Sequence, residues 1–359
     1  MSSAHVIVGL SGGVDSAVSA ALLLEQGHHV EGLFMRNWSE DDAYCSAAED
    51  YASAQSVADQ LGIVLHKADF SAAYRERVFA HFLAEYKAGR TPSPDLLCNR
   101  EIKFGDFAQH ARALGAQHIA TGHYARIEHL ADKSLLCQAA DPNKDQTYFL
   151  AATPGSALRD VLFPLGDYTK PQVRDMAAER GLHNHQRKDS TGVCFIGERP
   201  MRGFLQQYIA SQPGPIVDDN GRRIASHDGV AYYTLGQRSG LGIGGVAGAR
   251  EAPWYVVERR TSSNTLVVSQ DREDPRLTHR QLRLGQSYWV NEAPTNGDEV
   301  QFRVRHRQAL QWARLEKAPK HWLLHSEEPV WAAAEGQYAV IYSGRVCLGC
   351  AVIEGATTP

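Results

Sequence analysis

Two groups of residues have types and spacings suited to chemistry: a glycine-serine turn that carries an aspartate, and two cysteines with unusual neighbours. The turn is Ser11-Gly12-Gly13-Val14-Asp15-Ser16, set between the apolar run Val6 to Leu10 and a helical run from Val14 to Gln26. A strand–turn–helix of this composition offers backbone N–H groups and the positive end of a helix to an anion, and its glycines let the chain approach a phosphate closely. Gly9 and Leu10 lead into the turn, and Ser11 and Ser16 add hydroxyl donors. The turn lacks the Gly-Lys-Ser/Thr ending that brings a lysine to the β- and γ-phosphates, and it is not the G-x-G-x-x-G dinucleotide fingerprint. Asp15 instead places a carboxylate where a Mg2+ ion bridging phosphates would sit. The plainer reading is a glycine-rich turn whose Asp15 and Ser16 are first-turn residues favoured by the helix dipole.

Cys98 lies in TPSPDLLCNREIKF, past two prolines and ahead of a helix expected to start near Asn99, with Arg100 and Lys103 close by. A helix start and two cations lower a thiol's pKa. Cys194 lies in KDSTGVCFIG, between a polar run and a short apolar strand. On the residues alone, both read more readily as small buried hydrophobes. Cys45 and Cys137 are expected to be structural or bystanders. Cys347 and Cys350 form CLGC on strand-like sequence, with no second pair to complete a zinc site.

These groups must be held by a fold of 359 residues, long enough for two or three domains. The net charge of −4 excludes binding to nucleic acid by bulk charge, so any such partner is held by local basic patches. KAGRTPSP, CNREIK, HQRKDS and FRVRHRQ are candidates, although each alone reads as a solvated face. No apolar run approaches the roughly eighteen residues of a membrane span, and six scattered cysteines do not make a disulfide framework. A cytoplasmic protein with no membrane partner is expected.

From His5 to about Arg180 strand and helix patterns alternate. HVIVGL and HHVEGLF read as strands, residues 46 to 61 and 71 to 88 as amphipathic helices, and QHIATGHY as another strand. Thr169 with Gln172 predicts a capping box opening a helix from Lys170 to Arg180. Such alternation predicts an α/β, doubly wound parallel sheet covered on both faces. After Pro200 glycines crowd the chain (YYTLGQRSGLGIGG), and short alternating runs from Trp254 onward predict a small antiparallel barrel or sandwich. The division expected is 1–200, a connecting domain at 201–272, and a C-terminal β-barrel at 273–359.

SGGVDS resembles the PP-loop of ATP pyrophosphatases, which split ATP between the α- and β-phosphates and so cradle a leaving pyrophosphate. The surroundings extend the likeness through almost the whole chain: EGLFMRNW, EYKAGRTPSPDLLCNREIKF, ATGHYAR, NKDQTYFL, LFPLGDYTKPQVRDMA, KDSTGVCFIGER, YYTLGQRSGLGIGG, PWYVVE and GQYAVIYSGRVCLG occur in order. Together they resemble the tRNA-specific 2-thiouridylases (the MnmA or TrmU family). The resemblance implies that ATP adenylates O2 of uridine 34 in tRNAs for Lys, Glu and Gln, and that sulfur from a cysteine persulfide then replaces the oxygen. It assigns Gly9 to Ser16 (Gly9, Leu10, Ser11, Gly12, Gly13, Val14, Asp15, Ser16), Met35 and Gly122 to ATP, Cys98 to the nucleophile and Cys194 to the persulfide carrier. Ser93, Pro94 and Asp95 match the segment meeting the target base. His123, Lys144, Asp145, Gln146, Arg305, His306 and Gln337 match tRNA-contacting positions. Ser93 departs from the family's usual asparagine and loses an amide that both donates and accepts. The implied partners are tRNA and a sulfur-relay protein or cysteine desulfurase. Two other readings compete: a small-molecule adenylating synthetase of the same loop family, which leaves both cysteines unexplained, and an ATP-switched RNA-binding protein, whose ATP hydrolysis is indifferent to them.

Overall fold

The computed structural model describes residues 3–38, 47–188, 201–246 and 248–357. Cys45, Cys194 and most of the KDSTGVCFIG segment lie outside the described residues.

Strands β1 (His5–Gly9), β2 (His29–Arg36), β3 (Leu65–Asp69) and β4 (His118–Ala120) begin the first domain. A hairpin follows, β5 (Arg126–Leu130) and β6 (Lys133–Cys137), and then β7 (Val161–Leu162). The sheet runs β3-β2-β1-β4-β7 with every pairing parallel. Val6, Ile7 and Val8 of β1 are fully buried, as a sheet covered on both faces requires. Val6 and Val8 pack against the helices Val14–Glu25, Ala47–Leu61 and Lys170–Glu179. Ile7 faces the other side, against Phe107, Ala108 and Ala111. Strand order reverses beside β1, so the ligand crevice of such a sheet falls at the carboxyl ends of β1 and β4. Gly13 and Gly122 both lie there.

The expected helix at 71 to 88 forms over Ser71–Lys87, with wider turns at Arg75–Phe79; along its stripe of residues four apart Tyr74, Val78 and Phe82 are buried and Tyr86 is half-buried. Thr169 and Gln172 make the capping box. One helix begins earlier than expected: it starts at Pro94 rather than near Asn99, because proline suits the first helical position, and it continues through wide turns at Cys98–Phe107 to Ala113.

The connecting domain holds a sheet of β8 (Gly214–Val217), β9 (Arg223–His227), β10 (Tyr255–Arg260) and β11 (Thr265–Ser269), ordered β10-β11-β8-β9. The last domain is a barrel, not a sandwich. Strands β12 (Thr278–Trp289), β13 (Glu299–Arg303), β14 (Gln311–Lys317), β15 (Trp322–Trp331), β16 (Tyr338–Ser343) and β17 (Val346–Thr357) pair antiparallel, and β12 pairs with β17 to close the ring. Register shifts in the β12–β17 pairing supply the bend that closure needs. The β5–β6 hairpin joins this sheet, with Cys137 opposite Val346 and Leu136 opposite Cys347. Cys137, Cys347 and Cys350 are buried around that seam, and burial pushes all three thiols up in pKa, which suits inert packing. Among the described residues no helix is long and apolar enough to cross a membrane.

Candidate active site

The turn after β1 is built from its own hydroxyls. Ser16 Oγ donates to Gly13 O at 3.0 Å and accepts from the Ser11 backbone N–H at 3.2 Å. Gly13 is the N-cap of the Val14–Glu25 helix, so the first helical N–H groups face the turn. Gly12 has φ +78°, and a Cβ there would meet Asp50 O at 2.5 Å. Its carbonyl accepts from Ser53 Oγ at 2.9 Å, Asn184 Nδ2 at 3.0 Å and Arg187 Nη1 at 3.0 Å. Arg187 of the HQRKDS segment therefore braces the turn and does not stand on a solvated face. Gly122 backs onto the same helix start, where an added Cβ would lie 2.8 Å from Asp15 C and Ser16 N. Met35 lies near the carboxyl end of β2 and is half-buried.

Asp15 has partners that its sequence position does not announce. Lys170 Nζ donates to Oδ1 at 2.7 Å and to Oδ2 at 2.9 Å, and Tyr124 Oη donates to Oδ1 at 2.8 Å. Lys170 is the first residue of the helix capped by Thr169, and its own backbone N–H donates to Asp141 Oδ2 at 3.0 Å. The capping box thus aims a buried ammonium across the domain at the phosphate turn. The Asp15 carboxylate as placed is an anchor for Lys170, with three of its roughly four acceptor sites taken by these donors.

Cys98 is buried in the second turn of the Pro94–Ala113 helix, in a cluster with Trp38, Phe79 and Leu97. The positive end of that helix is at Pro94, and the two expected cations point elsewhere. Arg100 stacks over the Tyr288 ring at 4.3 Å, and Lys103 Nζ lies 3.4 Å from His123 Nε2. The far end of the helix reaches the turn, since a Cβ on Gly9 would touch Phe107 Cζ at 3.3 Å. His123 follows Gly122, and its Nδ1 is 2.7 Å from Thr121 Oγ1. Burial, then the Lys103 charge, holds its pKa well below the usual histidine value. The ring lies in the interior beside Lys103.

The segments expected at tRNA also prove to be joints. Asp145 is 1% exposed and pairs with Arg303 of β13, whose Nε donates to Tyr342 Oη at 3.0 Å. His306 Nε2 is 3.0 Å from Asp145 O, and Gln146 Oε1 accepts from the Tyr124 backbone N–H at 2.9 Å. Arg305 Nη2 donates to Leu235 O at 3.3 Å and Ala332 O at 3.0 Å, tying barrel to connecting domain. Arg305 and Gln337 line one cleft with Thr234, Gln237 and Arg238. The chain entering Ser93 is anchored at the same junction, by Thr91 N–H to Glu335 O at 2.8 Å and Thr91 Oγ1 to Thr234 Oγ1 at 2.5 Å. Ser93 is the N-cap of the Cys98 helix, Pro94 is buried, and Asp95 lies in the first turn. Lys144 is half-buried beside this joint.

Residues 4–198 match a family described as tRNA methyl transferase HUP domain, 202–270 its PRC-barrel domain, and 279–353 an aminomethyltransferase beta-barrel domain. A tRNA-specific 2-thiouridylase MnmA of Alcanivorax borkumensis is 53% identical over 354 residues, covering 98% of this chain and 97% of that protein. The chain belongs to the tRNA-specific 2-thiouridylase family. A second member, from Pseudomonas putida, is 51% identical over 355 residues, covering 98% and 95%. Among solved structures, a 4-thiouridine synthetase–RNA complex with bound ATP overlays with a TM-score of 0.37 at 18% identity, covering 57% of this chain and 49% of that one.

Against that family background, Lys170, Tyr124 and Arg187 are the site residues the motifs did not single out.

Proposed function

We propose that this chain is a tRNA-uridine 2-sulfurtransferase that installs 2-thiouridine at position 34 of tRNAs for Lys, Glu and Gln. The observation that carries this reading is the single helix Pro94–Ala113, which holds the Cys98 thiol near one end and packs Phe107 on Gly9 of the phosphate turn at the other. Nine residues of wide-turned helix separate the two, less than the roughly 13 Å of an α-helix of that length, so nucleotide and thiol address one substrate.

The turn, the helix start behind Gly13 and the Lys170 ammonium bind the phosphates of ATP. O2 of the uridine attacks the α-phosphorus and pyrophosphate leaves, converting a poor leaving group into an AMP ester. The terminal sulfur of a Cys194 persulfide attacks C2 and AMP departs. The Cys98 thiolate then attacks Cys194 Sγ, which releases the 2-thiocarbonyl and leaves a Cys98–Cys194 disulfide for an external dithiol to reduce. The role of Cys194 rests on its family position. A persulfide-bearing relay protein or cysteine desulfurase supplies the sulfur. A wobble base is unpaired in its loop and inexpensive to splay into such a site. The Ser93-Pro94-Asp95 entrance, Lys144 and the Arg305–Gln337 cleft surround the route by which it arrives.

The test is mass analysis of tRNA nucleosides after incubation with ATP, Mg2+ and a persulfide source. 2-Thiouridine appearing only when ATP is present supports the reading, and its absence with active donor rejects it.

A further inference from the structure

At the amino ends of β1, β2 and β3, opposite the phosphate turn, one sheet face gathers His5, His29, Glu31 and His66. His5 and His29 are register partners on adjacent parallel strands, and Glu31 stands two residues along β2 on the same face. His5 Nε2 lies 3.5 Å and His29 Nε2 3.8 Å from Glu31 Oε1. Glu31 Oε2 is 2.6 Å from His66 Nε2.

The tautomer of His5 makes this arrangement informative. Its Nδ1 is 3.0 Å from Gly115 O, which can only accept, so in the neutral ring the proton sits on Nδ1 and Nε2 carries a lone pair. That Nε2 is buried and has no hydrogen-bond partner. That lone pair and a carboxylate oxygen facing each other at 3.5 Å repel unless a proton or a metal ion lies between them. Two ligands about 2.1 Å from a tetrahedral ion are roughly 3.4 Å apart, close to the His5–Glu31 and His29–Glu31 separations. The surroundings also match a metal site: a ligating histidine gives its other N–H to a backbone carbonyl, and a ligating carboxylate is itself held by a hydrogen bond. Gly115 O and His66 fill those two roles.

We propose that His5 Nε2, His29 Nε2 and Glu31 Oε1 form a site for one divalent transition-metal ion of the zinc class, with His66 positioning the carboxylate. Two imidazoles and a carboxylate favour zinc, cobalt, nickel or copper over magnesium or calcium. The three ligand atoms lie within 4.8 Å of one another, and the His29 ring, 66% exposed, is the member that moves in to close the site. Water from the solvent side completes the coordination. The ion staples β1 to β2 at the end of the sheet remote from the phosphate turn, about 13 Å away along the five-residue β1.

The test is equilibrium dialysis of the reduced full-length chain against micromolar Zn2+, with bound zinc counted by atomic emission, for wild type and His29→Gln. Cysteines take up zinc equally in both, so the difference isolates this site. Wild type is expected to hold one equivalent more, to gain more in melting temperature on zinc addition, and to thiolate tRNA no differently from the variant. His66→Gln, which keeps all three ligands, is expected to weaken this binding by about 10- to 100-fold. Equal zinc content and equal melting shifts in wild type and His29→Gln would overturn the proposal and leave a proton, not a metal, between His5 and Glu31.

Discussion

Lys170 Nζ lies 2.7 and 2.9 Å from the two carboxylate oxygens of Asp15, a residue 155 positions earlier in the chain. A phosphate turn with no lysine of its own thus receives one from the start of a distant helix, and Asp15 is what holds it there. Lys170→Met is expected to slow pyrophosphate release by about 100-fold, the scale for losing one preorganised charge partner of a reacting phosphate, with tRNA affinity unchanged. Asp15→Asn should abolish adenylation while sparing tRNA binding, because it leaves Lys170 misplaced. Pyrophosphate release near the wild-type rate in either variant would remove the pair from the chemistry.

Gly122 is a tighter constraint than its strand-end position suggests. An added Cβ would sit 2.8 Å from backbone atoms of Asp15 and Ser16, which cannot yield as a flexible side chain would. Gly122→Ala is expected to cost about 1–3 kcal/mol and to raise the apparent KM for ATP. Calorimetry and ATP titration check this; unaltered stability and KM would show that the turn can give way.

The Asp145–Arg303 pair is 1% and 4% exposed and joins the first domain to the barrel. Asp145→Asn should destabilise by about 3–5 kcal/mol, since it strands the Arg303 charge. It should leave the salt dependence of tRNA binding unchanged. Lys144→Ala, by contrast, should lower the salt slope by about one unit with little loss of stability. Affinities measured across a salt series separate the two roles.

His123 is held neutral in the native chain by burial and by Lys103, whereas in the unfolded chain it titrates near pH 6.5. Below that pH the unfolded state binds a proton that the native state does not, so stability falls with pH by up to about 1.4 kcal/mol per unit. His123→Asn should flatten the acid limb of the stability–pH curve by up to one proton. An unchanged slope in denaturant titrations from pH 7 to 5 would mean that the ring is protonated in place.

Local rules make much of the first domain legible in the sequence. The β-branched runs, the glycine turn and the capping box at Thr169 each specify their element through nearest neighbours. The start of the Cys98 helix is harder to place, because two prolines read as a break when Pro94 is in fact the first helical residue. Lys170, Arg187 and Arg303 give no local sign of pairing with Asp15, Gly12 and Asp145, since these contacts depend on how separate elements pack. The same holds for Asp145 and His306, which the family resemblance sets at tRNA and which also join the first domain to the barrel. The four-residue cluster beneath the sheet comes from strand register, which no single segment encodes.

In the proposed mechanism Cys98 releases the sulfur that Cys194 delivers to a nucleotide activated at the other end of the Cys98 helix. Following pyrophosphate release and 2-thiouridine formation together decides this, in one reconstituted reaction with tRNA, ATP and a persulfide source, for wild type and Cys98→Ser. Wild type should yield both products, with the sulfur at position 34. Cys98→Ser should still release pyrophosphate, because the turn and Lys170 are untouched, and should turn over no 2-thiouridine. Full thiolation by Cys98→Ser would remove the thiol from the mechanism.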